Sequence, residues 1–272
     1  MTTLRSMAPA LMLVCTAPAW ALDIVAPGVI VPKGDPGVVM TDLVCSPPAV
    51  GIYLESGARV LLNGHVLDGC TISPASPSQT DRQRLQVRGP GEIRNAGIHL
   101  RAGTLKVYDV TITDSPSFGI IGSGDAADGP SLVRARNVTV TGSGFDGVRA
   151  TRVRARDLTT NGNGTLSPGS GIFAPGGVSG RRIVSDDNAV YGVAGFAGKV
   201  RLSAAEATGN GCAGVAGQSA VLVRSTIDGN DTSGAGCADV ISGFPPRVKN
   251  TVCGTSSDGN EPSNTWGVCS DD

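Results

Sequence analysis

A glycine followed by a β-branched residue recurs along this chain, at Gly51-Ile52, Gly97-Ile98, Gly119-Ile120, Gly147-Val148, Gly171-Ile172, Gly192-Val193 and Gly214-Val215; Asp239-Val240 then takes the same place. The branched residues are separated by 46, 22, 28, 24, 21, 22 and 25 residues, so the first interval is about twice the others and one unit lacks the marker. A second landmark keeps phase just ahead of these pairs. Asn163, Asn188, Asn210 and Asn230 occupy it in the later units, and Ser115 and Ser143 in the earlier ones. A period of this size restricts the chain to small units that cannot bury a face alone and must stack on one another.

Between the landmarks lie short alternating runs, such as Leu132-Val133-Arg134-Ala135-Arg136 and Asn137-Val138-Thr139-Val140-Thr141. Side chains alternate across a strand, so Val133, Ala135, Val138 and Val140 point one way. Stacked coils with parallel strands ~4.8 Å apart would turn these residues into a continuous interior. Ile52, Ile98, Ile120, Val148, Ile172, Val193, Val215 and Val240 would form an aliphatic column, and the asparagines a ladder of turns. A β-sandwich also has short strands and frequent turns. It does not require one turn residue to recur in phase through four consecutive units. Composition agrees: 39 glycines and 17 prolines among 272 residues are incompatible with helical bundles. A net charge of −1 with 40% hydrophobic residues argues against disorder. The sequence therefore predicts an all-β, single-domain solenoid of parallel strands over residues 22–250, followed by a short segment, 251–272.

The chain resembles the secreted bacterial right-handed parallel β-helix proteins, the architecture shared by pectate lyases and polygalacturonases. The stretch Gly57-Ala58-Arg59-Val60-Leu61-Leu62-Asn63-Gly64-His65-Val66-Leu67-Asp68-Gly69 is similar to the first coil of many such proteins. Asn250-Thr251-Val252-Cys253-Gly254-Thr255-Ser256, followed by Trp266-Gly267-Val268-Cys269, is similar to a closing segment of bacterial members. The resemblance spans nearly all of the chain after residue 21 and implies the fold; many proteins of this group have no assigned reaction.

Residues 1–21 have the pattern of a secretory signal: Arg5, an apolar run centred on Leu11–Val14, and Ala19-Trp20-Ala21 with small residues at −3 and −1. A lipid anchor on Cys15 is the competing reading, but Val14 stands where a small residue would be needed. No later stretch approaches the ~18 apolar residues of a membrane span. Export, to the periplasm or outside the cell, is the expectation, with no membrane insertion and a monomeric state. Six cysteines then remain, Cys45, Cys70, Cys212, Cys237, Cys253 and Cys269, and an even number in an exported chain suggests disulfides. Zinc is the alternative, but no C-x-x-C occurs and the two histidines are isolated. Six cysteines allow fifteen connectivities. The repeat puts Cys212 and Cys237 in register on neighbouring coils, Cys45 and Cys70 flank the first coil, and Cys253 and Cys269 bracket the tail, so Cys45–Cys70, Cys212–Cys237 and Cys253–Cys269 are the expected pairs.

Aligned on the Asn/Ser landmark, the outward positions read as columns. One holds Lys106, Arg134, Arg154, Ser179 and Arg201; two residues further on stand Tyr108, Arg136, Arg156, Arg181 and Ser203. Residues 131–201 carry ten Lys or Arg against four Asp or Glu, whereas residues 225–272 carry two against seven. The near-neutral total hides a basic stripe and an acidic end. Like charges directly opposite on adjacent strands repel, and a row of guanidinium groups suits a linear polyanion of carboxylates or sulfates. The expected partner is an acidic polysaccharide. The bland alternative is a solvated strand face whose arginines were duplicated with the repeat. Nucleic acid is not expected for an exported chain so poor in aromatics.

A third column follows the inward branched residues: Tyr53, His99, Ile121, Arg149, Phe173, Ala194, Ala216 and Ile241. Phe173 offers a ring for a sugar, and His99, Arg149 and Arg154 are the candidates for acid–base chemistry. Asp125 and Asp128, in the insertion 122–131, are candidates for Ca²⁺; no other cofactor or metal is expected. Asp186-Asp187, the sole adjacent carboxylate pair within the coils, falls at a turn. The Gly-His-Gly and Arg-Ile-Lys of polygalacturonases, the Arg-x-Pro-x-x-Arg of pectate lyases and the Asp-Pro-His-Glu of alginate epimerases are absent. If the protein is an enzyme, a polysaccharide lyase fits better than a glycoside hydrolase. Otherwise it is a non-catalytic cell-surface or extracellular solenoid.

Overall fold

The computed structural model describes residues 21–46, 51–76, 82–123, 129–258 and 265–269. These residues form a parallel β-solenoid of about ten coils, without α-helix. Each full coil contributes to three faces. On the first face the strands Ile52–Leu54, Ile72–Pro74, Ile98–Leu100, Ile120–Gly122, Val148–Arg149 and Ile172–Phe173 follow one another in parallel register. The starts of Val193–Ser203 and Val215–Val223, then Val240–Ser242, continue them. The long strands Gly103–Thr113, Ser131–Thr141 and Arg152–Asn161 cross the second and third faces in one run, turning the corner at a single left-handed residue. Asp109, Asn137 and Asp157 hold that place at φ 58°, 52° and 56°, a conformation that Asn and Asp tolerate best among non-glycine residues.

The expected aliphatic column is present: Ile52, Ile98, Ile120, Val148, Ile172, Val193, Val215 and Val240 are all fully buried. The long first interval hides Thr71-Ile72, with Ile72 in register with both Ile52 and Ile98. That coil keeps the branched residue and lacks the glycine. Glycine is needed elsewhere in the column for space. A Cβ at Gly147 would stand 2.8 Å from both Asn163 Nδ2 and the Gly171 carbonyl, and one at Gly192 2.7 Å from the Gly214 carbonyl. The marker therefore records close approach of successive backbones. Val60, Val87 and Val107 on the second face and Leu67, Ile93, Ile112 and Val140 on the third complete the core, each worth roughly 1.5–3 kcal/mol on burial.

The asparagine ladder has the expected form. Asn163 Nδ2 donates to Asn188 Oδ1 at 2.9 Å, Asn188 Nδ2 to Asn210 Oδ1 at 3.0 Å, and Asn210 Nδ2 to Asn230 Oδ1 at 2.8 Å. Each accepting oxygen also takes the backbone N–H of the preceding asparagine. The ladder ends on Asp239, whose Oδ1 accepts Asn230 N–H at 2.9 Å and Asn230 Nδ2 at 2.8 Å. A carboxylate only accepts, so it terminates a donor chain without leaving a donor of its own unpaired.

Two disulfides staple adjacent coils as the sequence predicts: Cys45–Cys70 and Cys212–Cys237, with Cα–Cα distances of 5.0 and 5.2 Å. Such bonds fit an oxidising compartment. The last parallel strand, Val252–Asp258, pairs antiparallel with Thr265–Cys269, and Cys253 stands opposite Cys269 in that register. The Cys269 side chain, residues 1–20 of the signal pattern, and Asp125 and Asp128 lie outside the described residues.

Candidate functional site

The stripe is an assembled surface of the second face. Lys106, Arg134, Arg154, Ser179 and Arg201 are consecutive partners in parallel register, as are Tyr108, Arg136, Arg156, Arg181 and Ser203. Arg134, Arg136, Arg154, Arg156, Arg181 and Arg201 are exposed, while Lys106 and Tyr108 are half-buried. Beneath them Val107, Ala135 and Leu202 are buried, so alternation along each strand is what holds the cations outward. A shallow groove of about 680 Å³ runs over this surface, lined by Arg134, Arg154, Arg156, Arg181 and Arg201.

Carboxylates are scarce around it. Arg156 Nε lies 3.5 Å from Asp157, but Asp157 is engaged mainly by Arg182, whose Nη2 donates to Oδ2 at 2.7 Å. That hydrogen bond, with the charges of Arg182, Arg156 and Arg136, holds the Asp157 carboxyl below the usual range. Among the described residues, Lys106, Arg134, Arg136, Arg154, Arg181 and Arg201 make no ion pair. Rungs ~4.8 Å apart that carry the same charge are unfavourable without an external anion.

The groove continues toward the N-terminal coils past residues that the sequence alignment missed. A second depression of about 590 Å³ is lined by Arg59, Arg84, Lys106 and Arg134. Arg59 shares its rung with Gln86, which in turn pairs with Lys106, and Arg88 pairs with Tyr108. Those coils lack the Asn/Ser landmark; the alternation around inward Val60, Leu85 and Val87 was the available signal. Toward the other end the stripe breaks at Val221 and Val223 before Arg247 and Lys249.

The first face places the remaining candidates differently. His99 pairs with Ile121 and Ile121 with Arg149, so a whole rung separates the histidine from the arginine. Arg154 lies on the second face, so the three residues singled out for acid–base chemistry do not converge. Burial pushes the His99 imidazole below its ordinary value. Arg149 and Phe173 do meet: the guanidinium carbon is 4.8 Å from the Phe173 ring centroid and 5.5 Å from that of Phe118. Arg149 Nη1 also donates to Asp146 Oδ2 at 3.2 Å, and Asp146 Oδ1 accepts the Ser170 N–H at 2.7 Å. Asp146 is 5% exposed, and burial raises its pKa against the lowering effect of those partners. Ala194 and Ala216, further along the column, are buried.

Two features are structural. Asp186 Oδ1 accepts both the backbone N–H and the hydroxyl of Thr208, and Asp187 is a left-handed turn residue at φ 56°. His65 Nδ1 lies 3.2 Å from Asp42 Oδ1, tying the first complete coil to the chain before it. Among the described residues no group of three or more His, Cys, Asp or Glu is placed to hold a metal ion.

No family model matches the sequence, and no curated protein matches it either. Solved structures do share its fold. The mannuronan C-5 epimerase AlgE4 A-module of Azotobacter vinelandii is 14% identical over 85% of this chain and 80% of its own, with a TM-score of 0.50. The pectate lyase Pel9A is 15% identical over 91% and 74%, at a TM-score of 0.42. A periplasmic alginate epimerase, AlgG, is 10% identical over 84% and 78%, at 0.45. The fold of this chain is thus the parallel β-helix of the Azotobacter epimerase module, at an identity that speaks for the fold alone.

Proposed function

We propose that this protein is an exported β-helix module that binds an acidic polysaccharide along the cationic stripe of its second face. One observation carries the reading. Lys106, Arg134, Arg136, Arg154, Arg181 and Arg201 are arrayed on successive rungs without carboxylate partners among the described residues, over a groove open to solvent. A polymer that bears anionic groups along its length can meet several of these rungs, which repeat every ~4.8 Å. Guanidinium forks pair with such groups bidentately, and the half-buried Tyr108 stands in register beside Arg136. The two disulfides and the signal pattern fit work outside the cytoplasm, where such polymers occur. The epimerase module whose fold it shares acts, by its name, on mannuronan, which is itself a polyuronate.

The test is retention of the mature protein on immobilised alginate, polygalacturonate and a neutral glucan across a salt series, with ultraviolet absorbance followed in parallel for unsaturated uronate. Binding to a polyuronate that weakens steeply with salt and is lost in the Arg134→Ala/Arg154→Ala double variant is the expected result. New absorbance would add a lyase activity to the binding. Equal retention of the double variant and the wild type would overturn the role of the stripe.

A further inference from the structure

Four of the five phenylalanines of the chain, with Tyr191, gather on four successive coils beside the first face. Phe118 and Phe145 stack with centroids 5.1 Å apart. Phe173 and Phe196 lie 6.0 Å apart, and Tyr191 meets Phe196 edge-on at 5.2 Å. These rings are not core. Phe145 is 36% exposed and Phe196 45%, whereas the aliphatic columns behind them are fully buried. Arg149 stands among them with its guanidinium between Phe118 and Phe173, and its side chain remains 40% exposed.

Asp146 engages a single nitrogen of that guanidinium. An arginine carries five N–H donors in one plane, so most stay available while the flanking rings and the buried carboxylate fix the plane itself. A fork held in this way has little entropy left to lose when it pairs with a planar carboxylate. The exposed rings around it offer apolar surface for the C–H face of a sugar ring, the combination of apolar walls and a few fixed polar groups that small-ligand sites show.

We infer that Arg149, held between Phe118 and Phe173 with Phe145 and Phe196 against those two rings, is a second glycan site that takes a single uronic acid residue: its carboxylate lies on the guanidinium and its ring on the phenylalanines. The inference rests on the proposed acidic polysaccharide as partner and assigns it a subsite of different physics. The stripe is an open electrostatic surface that salt screens. The Arg149 site sets its guanidinium between two rings and recognises one sugar by shape and by a bidentate pair. A uronate carboxylate is joined directly to the sugar ring whereas a sulfate ester stands one oxygen further out, so a ring seated on the phenylalanines brings the carboxylate, and not a sulfate, to the guanidinium plane.

The experiment is calorimetric titration of the mature protein with trimannuronate and trigalacturonate, their carboxyl-reduced counterparts, and a sulfated trisaccharide, at low and high salt. At least one uronate should bind with little dependence on salt. Carboxyl reduction should weaken binding on the order of tenfold to a hundredfold, the worth of a charged hydrogen-bonded pair. Arg149→Lys keeps the charge opposite Asp146 and loses the fork, so it should weaken binding similarly at an unchanged thermal midpoint. Phe196→Ala, at an exposed ring, should weaken it too. Absence of uronate binding to the wild type, or equal binding by Arg149→Lys or by the reduced or sulfated sugars, overturns the inference. Arg134→Ala/Arg154→Ala is the separating control. If that variant keeps both polymer retention and trisaccharide binding, the stripe fails and the Arg149 site stands. If it loses polymer while Arg149→Lys leaves trisaccharide binding intact, the stripe stands and the Arg149 site fails.

Discussion

Replacing Asn188 with alanine probes whether the asparagine ladder stabilises the stack or merely accompanies it. Asn188 is 1% exposed. Its Oδ1 accepts the Asn163 backbone N–H at 3.1 Å and Asn163 Nδ2 at 2.9 Å, and its own Nδ2 donates to the Thr160 carbonyl at 2.9 Å and to Asn210 Oδ1 at 3.0 Å. The two acceptors keep other donors: Ser185 Oγ reaches Thr160 O at 3.4 Å, and the backbone N–H of residue 188 still reaches Asn210 Oδ1 at 3.1 Å. The donors fare worse. Asn163 Nδ2 is left with a long contact to Val140 O at 3.4 Å, and the buried Asn163 N–H loses the partner described here. One orphaned and one weakened buried donor, at about 1–3 kcal/mol for each full loss, come to about 2–4 kcal/mol. For a domain of this size that lowers the thermal midpoint by about 5–15 °C. Thermal melts followed by far-ultraviolet dichroism, with Arg134→Ala as a surface control expected within about 0.5 kcal/mol of wild type, make the comparison. Stacked coils can unfold in parts, so a second probe should report the same midpoint before free energies are compared. An Asn188→Ala protein that melts with the Arg134→Ala control would refute the ladder as a stabilising element.

Two further outcomes follow from stability. Burial holds the His99 pKa below its ordinary 6.5, so the unfolded chain binds a proton that the folded one resists. Its contribution is complete above that value and falls away as the pH drops below it, and His99→Gln should flatten this acid limb of a denaturation series. An unchanged slope would mean that another group carries the dependence. Replacing Cys212 and Cys237 with serine opens a loop of 25-residue separation. In the chain-entropy account this costs about 3–4 kcal/mol, read as a lower denaturant midpoint; reducing agent, which also opens Cys45–Cys70, should lower the wild type at least as far.

The architecture was legible in the sequence because a solenoid writes its period into the chain. Wherever successive backbones crowd, as at Gly147 and Gly192, the position admits little besides glycine, and wherever an amide must bond both coils it is asparagine. The pairing of Cys212 with Cys237 followed from the same phase, and that of Cys45 with Cys70 from their places on either side of the first coil. The basic ranks were visible between residues 106 and 201 for that reason, and Arg59, Arg84 and Arg88 escaped because their coils lack the landmark that set the alignment.

What the repeat could not convey is anything that depends on the turns outside its phase. Phe118, Phe145 and Tyr191 lie in connections whose lengths differ from coil to coil, so no alignment of columns shows their contacts; the solenoid sets Phe118 against Arg149 and Phe145, and Tyr191 against Phe196, by stacking those turns on one edge. The same holds for Asp239, which reads in sequence as a substituted glycine and in space is the acceptor that ends the ladder. Sequence alone determined the stack, its interior columns and the outward row of cations, because strand alternation and coil period are local rules repeated many times. Tertiary structure alone decided which exposed groups meet across coils, because that depends on the path of irregular turns, and separated His99 and Arg154 from the arginine that stands between two rings.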